Sequence, residues 1–466
     1  MIESLHEECG VFGIYGSEGA AESAFLGLYA LQHRGQEGAG IVSTDGDRMY
    51  EHKGMGLVAQ VFDDDSIARL KGKTAIGHNR YSTTGQPRVA NIQPLLVDCR
   101  AGKLGLAHNG NLVNARELRK EMEAEGSIFN TTMDSEVILH LIARSKEEDL
   151  DAMIVDAVQK LRGAFSVLLL TKDSLIAVRD PQSFRPLCMG VKGDATIITS
   201  ESCALDIIGA EYIRDIEPGE LVIVDERGIR SRKAFEPQQQ AKCIFEFIYF
   251  SRPDSKVFGE NVDKVRRKLG VVLAKNHPVD ADIVISVPDS SNTSSLGFAQ
   301  SSGIPFEIGL IRNHYVGRTF IQPSQRLREG TVRLKFNTVD GVLKGKRVVV
   351  VDDSIVRGST MKKLVVMLRK AGAKEVHLRI ASPPVKFPCF YGIDIPSRSE
   401  LIASSTPVEG IRQYLGVESL EYLTIADLRS VVDDPVNFCN ACFSGEYPIP
   451  MASDLNKSVL EDSAVA

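Results

Sequence analysis

The stretch Arg347-Val-Val-Val-Val-Asp352-Asp353-Ser354-Ile-Val-Arg357-Gly358-Ser359-Thr360 decides how the C-terminal half of the chain is built. Val348 to Val351 are four consecutive β-branched residues, the composition of a strand buried on both faces inside a parallel sheet. The run stops at two adjacent acids. Beyond them Ser354, Gly358, Ser359 and Thr360 are small or hydroxylated, and Met361 to Ala371 reads as a helix closed by Gly372. A strand, a loop and a helix in this order put the loop at the carboxyl end of the sheet, where backbone N–H groups and a helix N-terminus hold phosphate.

Asp352 and Asp353 do not suit a phosphate itself, so their partners are hydroxyls or a cation. A ligand with a vicinal diol beside its phosphate, such as a ribose 5-phosphate, meets both requirements. A lone acid here would read as an ordinary helix-capping residue; two acids followed by phosphate-sized residues do not. The fingerprints Gly-x-Gly-x-x-Gly and Gly-x-x-x-x-Gly-Lys-Ser/Thr are absent from the loop. The segment resembles the signature of type I phosphoribosyltransferases, which bind phosphoribosyl pyrophosphate (PRPP). The resemblance implies that Asp352, Asp353, Ser354, Arg357, Gly358, Ser359 and Thr360 hold PRPP and that the two acids also hold Mg²⁺.

A second polar loop, Val287-Pro288-Asp289-Ser290-Ser291, follows the predicted strand Asp282 to Val287. It resembles the same family's pyrophosphate loop, which assigns Asp289 and Ser290 to PRPP and Ser290 to Mg²⁺. Between the loops, Arg312 to Glu329 carries four arginines against one acid and has no clear period. With Arg333-x-Lys335-x-Asn337 it reads as a lid that closes over pyrophosphate, bringing Arg318 and Lys335 to it. A solvated basic loop is the alternative, and the flanking phosphate loops argue against it.

The 466 residues suffice for two or three domains, and 43% hydrophobic with 25% charged residues is a soluble globular composition. A net charge of −6 argues against general affinity for nucleic acid or membrane surfaces. No apolar run approaches a membrane span, and the acidic segment Met1 to Glu8 lacks the apolar core of a secretory signal. The expected location is the cytoplasm. Eight scattered cysteines do not form a disulfide framework, which leaves catalysis, metal binding or burial.

After the acidic octapeptide comes Cys9-Gly10-Val11-Phe12-Gly13-Ile14-Tyr15-Gly16, a strand pattern with closely approached glycines. Alone, Cys9 would be a small buried hydrophobe. Polar, glycine-bearing islands then recur between apolar segments: Leu31 to Gly40 with Arg34, Gly77 to Thr83 with Arg80, Ala107-His-Asn109-Gly110-Asn111, and Thr132 to Glu136 with Asp134. Islands of this kind are candidates for a shared pocket. Together they resemble the glutaminase domain of class II amidotransferases, a branch of the N-terminal nucleophile hydrolases. The resemblance implies a cysteine nucleophile at the mature N-terminus, hence removal of residues 1–8. A free α-amine of pKa about 7.7–8 is then the base for the thiol. It also implies an oxyanion hole made by Asn109 and Gly110, with glutamine held by Arg80 at its carboxylate and Asp134 at its ammonium, and Arg34 at the border of the pocket.

Cys99, Cys188 and Cys203 read as structural. Cys439-Asn-Ala-Cys442 is a Cys-x-x-Cys pair that two spaced ligands from elsewhere in the chain would complete to four thiolates; sequence alone does not separate Zn²⁺ from an iron–sulfur cluster. Cys243 before Phe245-Glu-Phe-Ile-Tyr249, Cys389 in Pro388-Cys-Phe-Tyr391-Gly, and the terminal pair resemble the amidophosphoribosyltransferases that carry a [4Fe-4S] cluster.

The expected organisation is a propeptide at 1–8, a glutaminase domain at 9–234 folded as an αββα sandwich, a polar junction, a doubly wound phosphoribosyltransferase domain at 243–450, and a mobile tail at 451–466. The fold class is therefore two-domain, α+β then α/β. The resemblance covers residues 9 to about 450. It implies transfer of glutamine nitrogen to PRPP, feedback inhibition by purine nucleotides, and a homo-oligomer, tetramer or dimer. One rival, the related glutaminase fused to a sugar-phosphate isomerase, has no strand ending in two acids. The other, a non-catalytic PRPP-binding regulatory protein, has no use for Cys9, Asn109-Gly110 and an arginine lid.

Overall fold

The computed structural model describes residues 9–81, 88–314, 335–395 and 397–450. In the first half, glycine and small residues let two antiparallel sheets lie face to face. One has seven strands in the order Glu211–Asp215, Cys188–Lys192, Ala195–Thr199, Gly10–Tyr15, Thr74–Arg80, Gly38–Thr44 and Met49–Met55. The other has six: Gly228–Lys233, Glu220–Asp225, Leu175–Arg179, Gly163–Leu170, Gly102–Leu112 and Leu95–Cys99. Period-two alternation sorts their side chains. Val11, Val42, Ile76, Leu168, Leu170 and Ile198 fill the space between the sheets. Phe12, Ile14 and Ile41 face outward, where the helix Ala20–Ala30 covers them. On the far side Val167, Leu169 and Ile176 meet the helices Ser135–Arg144 and Leu150–Val158. This is the expected αββα sandwich.

The second half is built on four parallel strands in the order Ile283–Ser286, Arg347–Asp352, Glu375–Ile380 and Ser419–Tyr422. Val348 to Val351 are fully buried, as a central strand requires. Val349 and Val351 pack with Leu269, Leu273 and Phe298 on one face, and Val348 and Val350 with Leu364, Leu368 and Leu378 on the other. The sheet is thus covered by helices on both sides. The helix predicted from Met361 spans Ser359–Lys370, and Gly372 ends it in a left-handed turn at φ +92°. On the opposite face, Val262–Asn276 and Asn292–Ser302 cross at glycines. A Cβ on Gly270 would stand 1.9 Å from the Ser294 carbonyl, so only glycine lets the second helix approach closely enough to aim its N-terminus at the strand ends.

The junction is more intimate than the polar composition of 234–242 suggests. Lys242–Cys243 pairs in parallel with Phe438–Cys439, which ties the two ends of the second half together. Residues from both halves, including Ala164, Phe184, Tyr391 and Ile449, share one apolar cluster. Arg162 Nη2 donates to the Pro450 carbonyl at 2.8 Å, fastening the last described residue to the first half. Residues 1–8 and 451–466, expected as a propeptide and a mobile tail, lie outside the described residues. No described helix is long and apolar enough to cross a membrane.

Candidate functional site

The glutaminase islands converge at the start of the Gly10–Tyr15 strand. Its neighbours are Thr74–Arg80, in register Gly10 to Asn79, and Ala195–Thr199. Cys9 is buried, its Sγ 3.3 Å from the Tyr81 carbonyl it donates to and 3.5 Å from the Tyr81 N–H it accepts from. Burial pushes the thiol up to about 11, against the pull of the Tyr81 peptide and the Arg80 cation; Glu37 and Asp134 push it further. Arg80 and Asp134 therefore both lie within electrostatic reach of the thiol. A thiol so held is inert at neutral pH without an added base.

Asn109 sits on the Gly102–Leu112 strand, its Nδ2 donating to Ser200 Oγ at 3.5 Å and its buried Oδ1 without a hydrogen-bond partner among the described residues. Ser200 Oγ also accepts the Val11 N–H at 3.0 Å. Gly110 has φ +148°, and a Cβ there would fall 2.0 Å from the Ala164 carbonyl, so the position admits only glycine. Asp134 accepts the Leu112 N–H at 2.9 Å, which turns its carboxylate to the end of the Asn109-Gly110 strand. Arg80 Nη1 donates to Met133 Sδ at 2.9 Å and to the Asn91 carbonyl. Arg34 also reaches the site, Nε donating to the Cys9 carbonyl at 3.3 Å, but its Nη groups turn away to the acids at the junction.

Those acids are Glu201 and Glu246, both fully buried. Arg34 bonds to Glu201 and, at 2.8 Å, to Glu246, and Arg185 Nη1 meets Glu246 at 3.2 Å. His33 Nε2 is 2.8 Å from Glu201, Ser255 Oγ donates to it at 2.6 Å, and Ser251 Oγ donates to Glu246. Burial alone would raise the Glu201 carboxyl; His33 and Arg34 overcome it and hold the group well below the usual carboxylate range. Neither acid nor Arg185 stands out in sequence. The one available signal was Glu246 as a lone acid in an aromatic run.

At the second centre, Asp352 and Asp353 stand at the carboxyl end of the central strand. Ser290 Oγ donates to Asp353 Oδ2 at 2.5 Å, Ser291 Oγ to Asp352 Oδ1 at 3.0 Å, and Ser354 Oγ to Asp353 Oδ1 at 2.7 Å. Ser291 belongs to the constellation although the sequence argument stopped at Ser290. Burial raises both carboxyls; Asp353 pushes Asp352 further up, while the serines and Arg266 partly counter the shift at Asp353. Two acids so disfavoured as anions suit a bound cation. Gly358, at φ +83°, turns the chain so that Ser359 and Thr360 open the Ser359–Lys370 helix, whose N-terminus points into the same space. The Arg357 guanidinium pairs with Glu400. Asp289 pairs with Arg312 at 3.0 Å. Lys335 borders the ribbon of Leu310–Arg312 and Phe336–Thr338. Arg318 and the rest of the expected lid, 315–334, lie outside the described residues.

Cys243, Cys389, Cys439 and Cys442 line one cavity together with Phe184, Arg185, Phe245 and Tyr391. Burial raises the Cys439 thiol to about 12 and Cys442 well above the ordinary range, with Cys389 adding at both. Among the described residues no three metal-ligating side chains stand at metal spacing, although the four cysteines share one cavity; thiols lose their protons on binding a metal, and the mutually repelling thiolates converge only on it. Four soft sulfur donors in an apolar cavity fit a tetrahedral zinc or an iron–sulfur cluster.

The junction generates a prediction. Glu246→Gln leaves Arg34 and Arg185 buried beside a neutral amide, and breaking a buried ion pair costs about 3–5 kcal/mol. Thermal unfolding should show a large fall in Tm, whereas Glu409→Gln, which breaks an exposed pair with Arg412, should change little. The Glu201 contribution, from a depressed carboxyl, is complete above the unfolded value of about 4.3 and is lost as pH falls through the folded one. The wild-type Tm should therefore not drop on this account until the medium is more acidic than about pH 4.

Comparison with known proteins agrees with this geometry. Residues 78–206 match the glutamine amidotransferase domain family and residues 300–381 the phosphoribosyl transferase domain family. The chain is 50% identical to the amidophosphoribosyltransferase of Bacillus subtilis (strain 168), over 97% of this chain and 96% of the relative. It is 52% identical to the chloroplastic amidophosphoribosyltransferase of Glycine max, over 95% and 78%. A solved structure described as the allosteric regulatory enzyme of purine biosynthesis superposes with a TM-score of 0.93 at 49% identity, over 97% of this chain and 99% of the other. Glutamine PRPP amidotransferase from B. subtilis, complexed with ADP and GMP, does so with 0.92 at 49% identity, over 97% and 100%. With a buried thiol, the Asn109-Gly110 strand and paired acids in one polypeptide, and these likenesses along nearly its whole length, the chain belongs to the amidophosphoribosyltransferase family.

Proposed function

We propose that in this chain, a glutamine-dependent PRPP amidotransferase of purine synthesis, Cys9 is the nucleophile that releases ammonia and the Asp352–Asp353 loop is where PRPP accepts it. The observation that carries the reading is the buried Cys9 thiol within electrostatic reach of Arg80 and Asp134. Removal of residues 1–8 frees the Cys9 α-amine. That amine takes the thiol proton, which a thiol near 11 would otherwise keep, and later delivers it to the departing ammonia. Cys9 Sγ attacks the glutamine carboxamide, and charge develops on its oxygen. The Gly110 N–H and Asn109 Nδ2 stabilise it. For this the Asn109 amide turns half a circle, so that the Ser200 hydroxyl, still accepting from Val11, donates to Oδ1 and Nδ2 faces the oxyanion. Water then hydrolyses the thioester to glutamate. Arg80 and Asp134 hold the substrate's carboxylate and ammonium, and Arg34 holds the Cys9 carbonyl in place.

At the second centre, Asp352 and Asp353 receive the ribose diol, and the turn from Ser354 to Thr360 receives the 5-phosphate. Asp289, Ser290, Lys335 and Arg318 attend the pyrophosphate, which leaves as ammonia attacks C1 to give 5-phosphoribosylamine. Mg²⁺ held by Asp352, Asp353 and Ser290 would supply charge neutralisation for that leaving group. The four cysteines would hold a [4Fe-4S] cluster that joins distant segments. Purine nucleotides act as inhibitors, a reading supported by the relative complexed with ADP and GMP. The assembly is a homo-oligomer, tetramer or dimer, in the cytoplasm.

N-terminal analysis of active protein should find Cys9 first, and Cys9→Ala should abolish synthesis from glutamine while sparing synthesis from ammonia; an active chain that retains Met1 contradicts the mechanism. Asp352→Asn with Asp353→Asn should abolish synthesis from both nitrogen sources. Mg²⁺ affinity of the wild type, measured calorimetrically, should rise with pH as the raised carboxyls lose their protons. Metal analysis should return iron and acid-labile sulfide at roughly four each per chain; stoichiometric zinc in an active, colourless preparation refutes the cluster.

A further inference from the structure

The segment Phe390-Tyr391-Gly392-Ile393-Asp394 belongs to the second half, yet its backbone is fastened to the first at successive residues. Asn111 Nδ2 donates to the Phe390 carbonyl at 3.0 Å. Arg185 donates twice to the Tyr391 carbonyl, at 3.0 and 2.9 Å, and the Tyr391 ring stacks on Phe184 with centroids 4.3 Å apart. Gly392 then lies directly on the oxyanion strand: a Cβ added to it would stand 3.1 Å from both Cα and C of Gly110. Gly110 is closed from its other side by the Ala164 carbonyl, 2.0 Å from where its own Cβ would be. Gly110, at φ +148°, thus has the backbone of two other segments close to it. One of those segments comes from the other half of the chain.

We propose that Gly392 and Asn111 are positioning residues for glutamine hydrolysis. Gly392, anchored through the Asn111 bond to Phe390, holds Gly110 at the φ that aims its N–H at the developing oxyanion. The inference rests on the reading of Cys9 and Gly110 given above. A side chain on Gly392, itself at φ +102°, displaces the Gly110 peptide. Loss of the Asn111 amide lets the segment lift from it. Either change alters a donor that acts only when charge has formed on the carboxamide oxygen, so the expected loss falls on kcat.

The test uses the full-length processed protein and the variants Gly392→Ala and Asn111→Ala. Glutamine hydrolysis should lose about 10- to 100-fold in kcat, less than or comparable to loss of a whole oxyanion donor, with KM for glutamine within threefold of wild type. Alkylation of Cys9 by iodoacetamide is the control. There Sγ bonds to the methylene carbon, the C–I bond breaks, iodide leaves and the thiol proton goes to solvent. No oxyanion forms, so the rate should stay within twofold. Ammonia-dependent synthesis should be unchanged for Gly392→Ala. If Gly392→Ala does not accumulate as folded protein, Asn111→Ala carries the same comparison. A wild-type kcat in the folded variants, or alkylation that slows in step with hydrolysis, overturns the proposal. Wild-type hydrolysis that survives complete alkylation of Cys9 overturns the underlying reading of the site instead.

Discussion

Two carboxylates and two guanidinium groups sealed from water hold this molecule in register. Glu201 and Glu246 lie between Arg34 and Arg185, with His33 and two serine hydroxyls completing their hydrogen bonds. Charges taken out of water are costly unless every partner is in place, so such a group tolerates one geometry. It is also placed where geometry counts. Arg34 reaches from Glu246 to the Cys9 carbonyl, and Arg185 from Glu246 to the Tyr391 carbonyl. The strand that starts at Cys9, the aromatic turn after Cys243 and the loop after Cys389 are therefore set against each other by the same four side chains.

The Cys9 thiol and the Asp352–Asp353 pair face the same electrostatic problem. At Cys9 burial opposes ionisation of the thiol, and no imidazole or ammonium partner is hydrogen-bonded to Sγ among the described residues. At Asp352 and Asp353 burial opposes ionisation of both carboxyls. In each case burial favours the protonated form over the anion.

The parallel strand was legible because its four valines are buried on both faces and so carry a signal independent of their neighbours. The sandwich was legible through period-two strands such as Gly163–Leu170. The motifs Asn109-Gly110 and Asp352-Asp353 stood out in the sequence for the same reason: few other roles suit those residues together. What stayed hidden depends on partners far apart in the chain. Glu201, Glu246 and Arg185 are ordinary charged residues until three segments meet. Ser200 is an ordinary strand-end serine until Asn109 lies beside it. Arg34 and Arg357 show the converse, since an arginine near a site fits many roles. One donates its Nε to the Cys9 carbonyl and the other turns to Glu400. The polar run at 234–242 marked the junction, but no local pattern could show that Lys242–Cys243 pairs with Phe438–Cys439.

That parallel pairing bears on the order in which the chain is assembled on the ribosome. Every strand of the sandwich precedes residue 234, so the first half can condense while the second is still being made. The four-thiol cavity cannot. Its walls come from Cys243, Cys389, Cys439 and Cys442, and at about 5–20 residues per second Cys442 emerges roughly 10–40 s after Cys243. During that interval the first thiol and the apolar run behind it have no partner strand. The last dozen residues of the described chain act as the closing stitch, and a nascent chain released before them would present a finished sandwich attached to an unsealed, aggregation-prone second half.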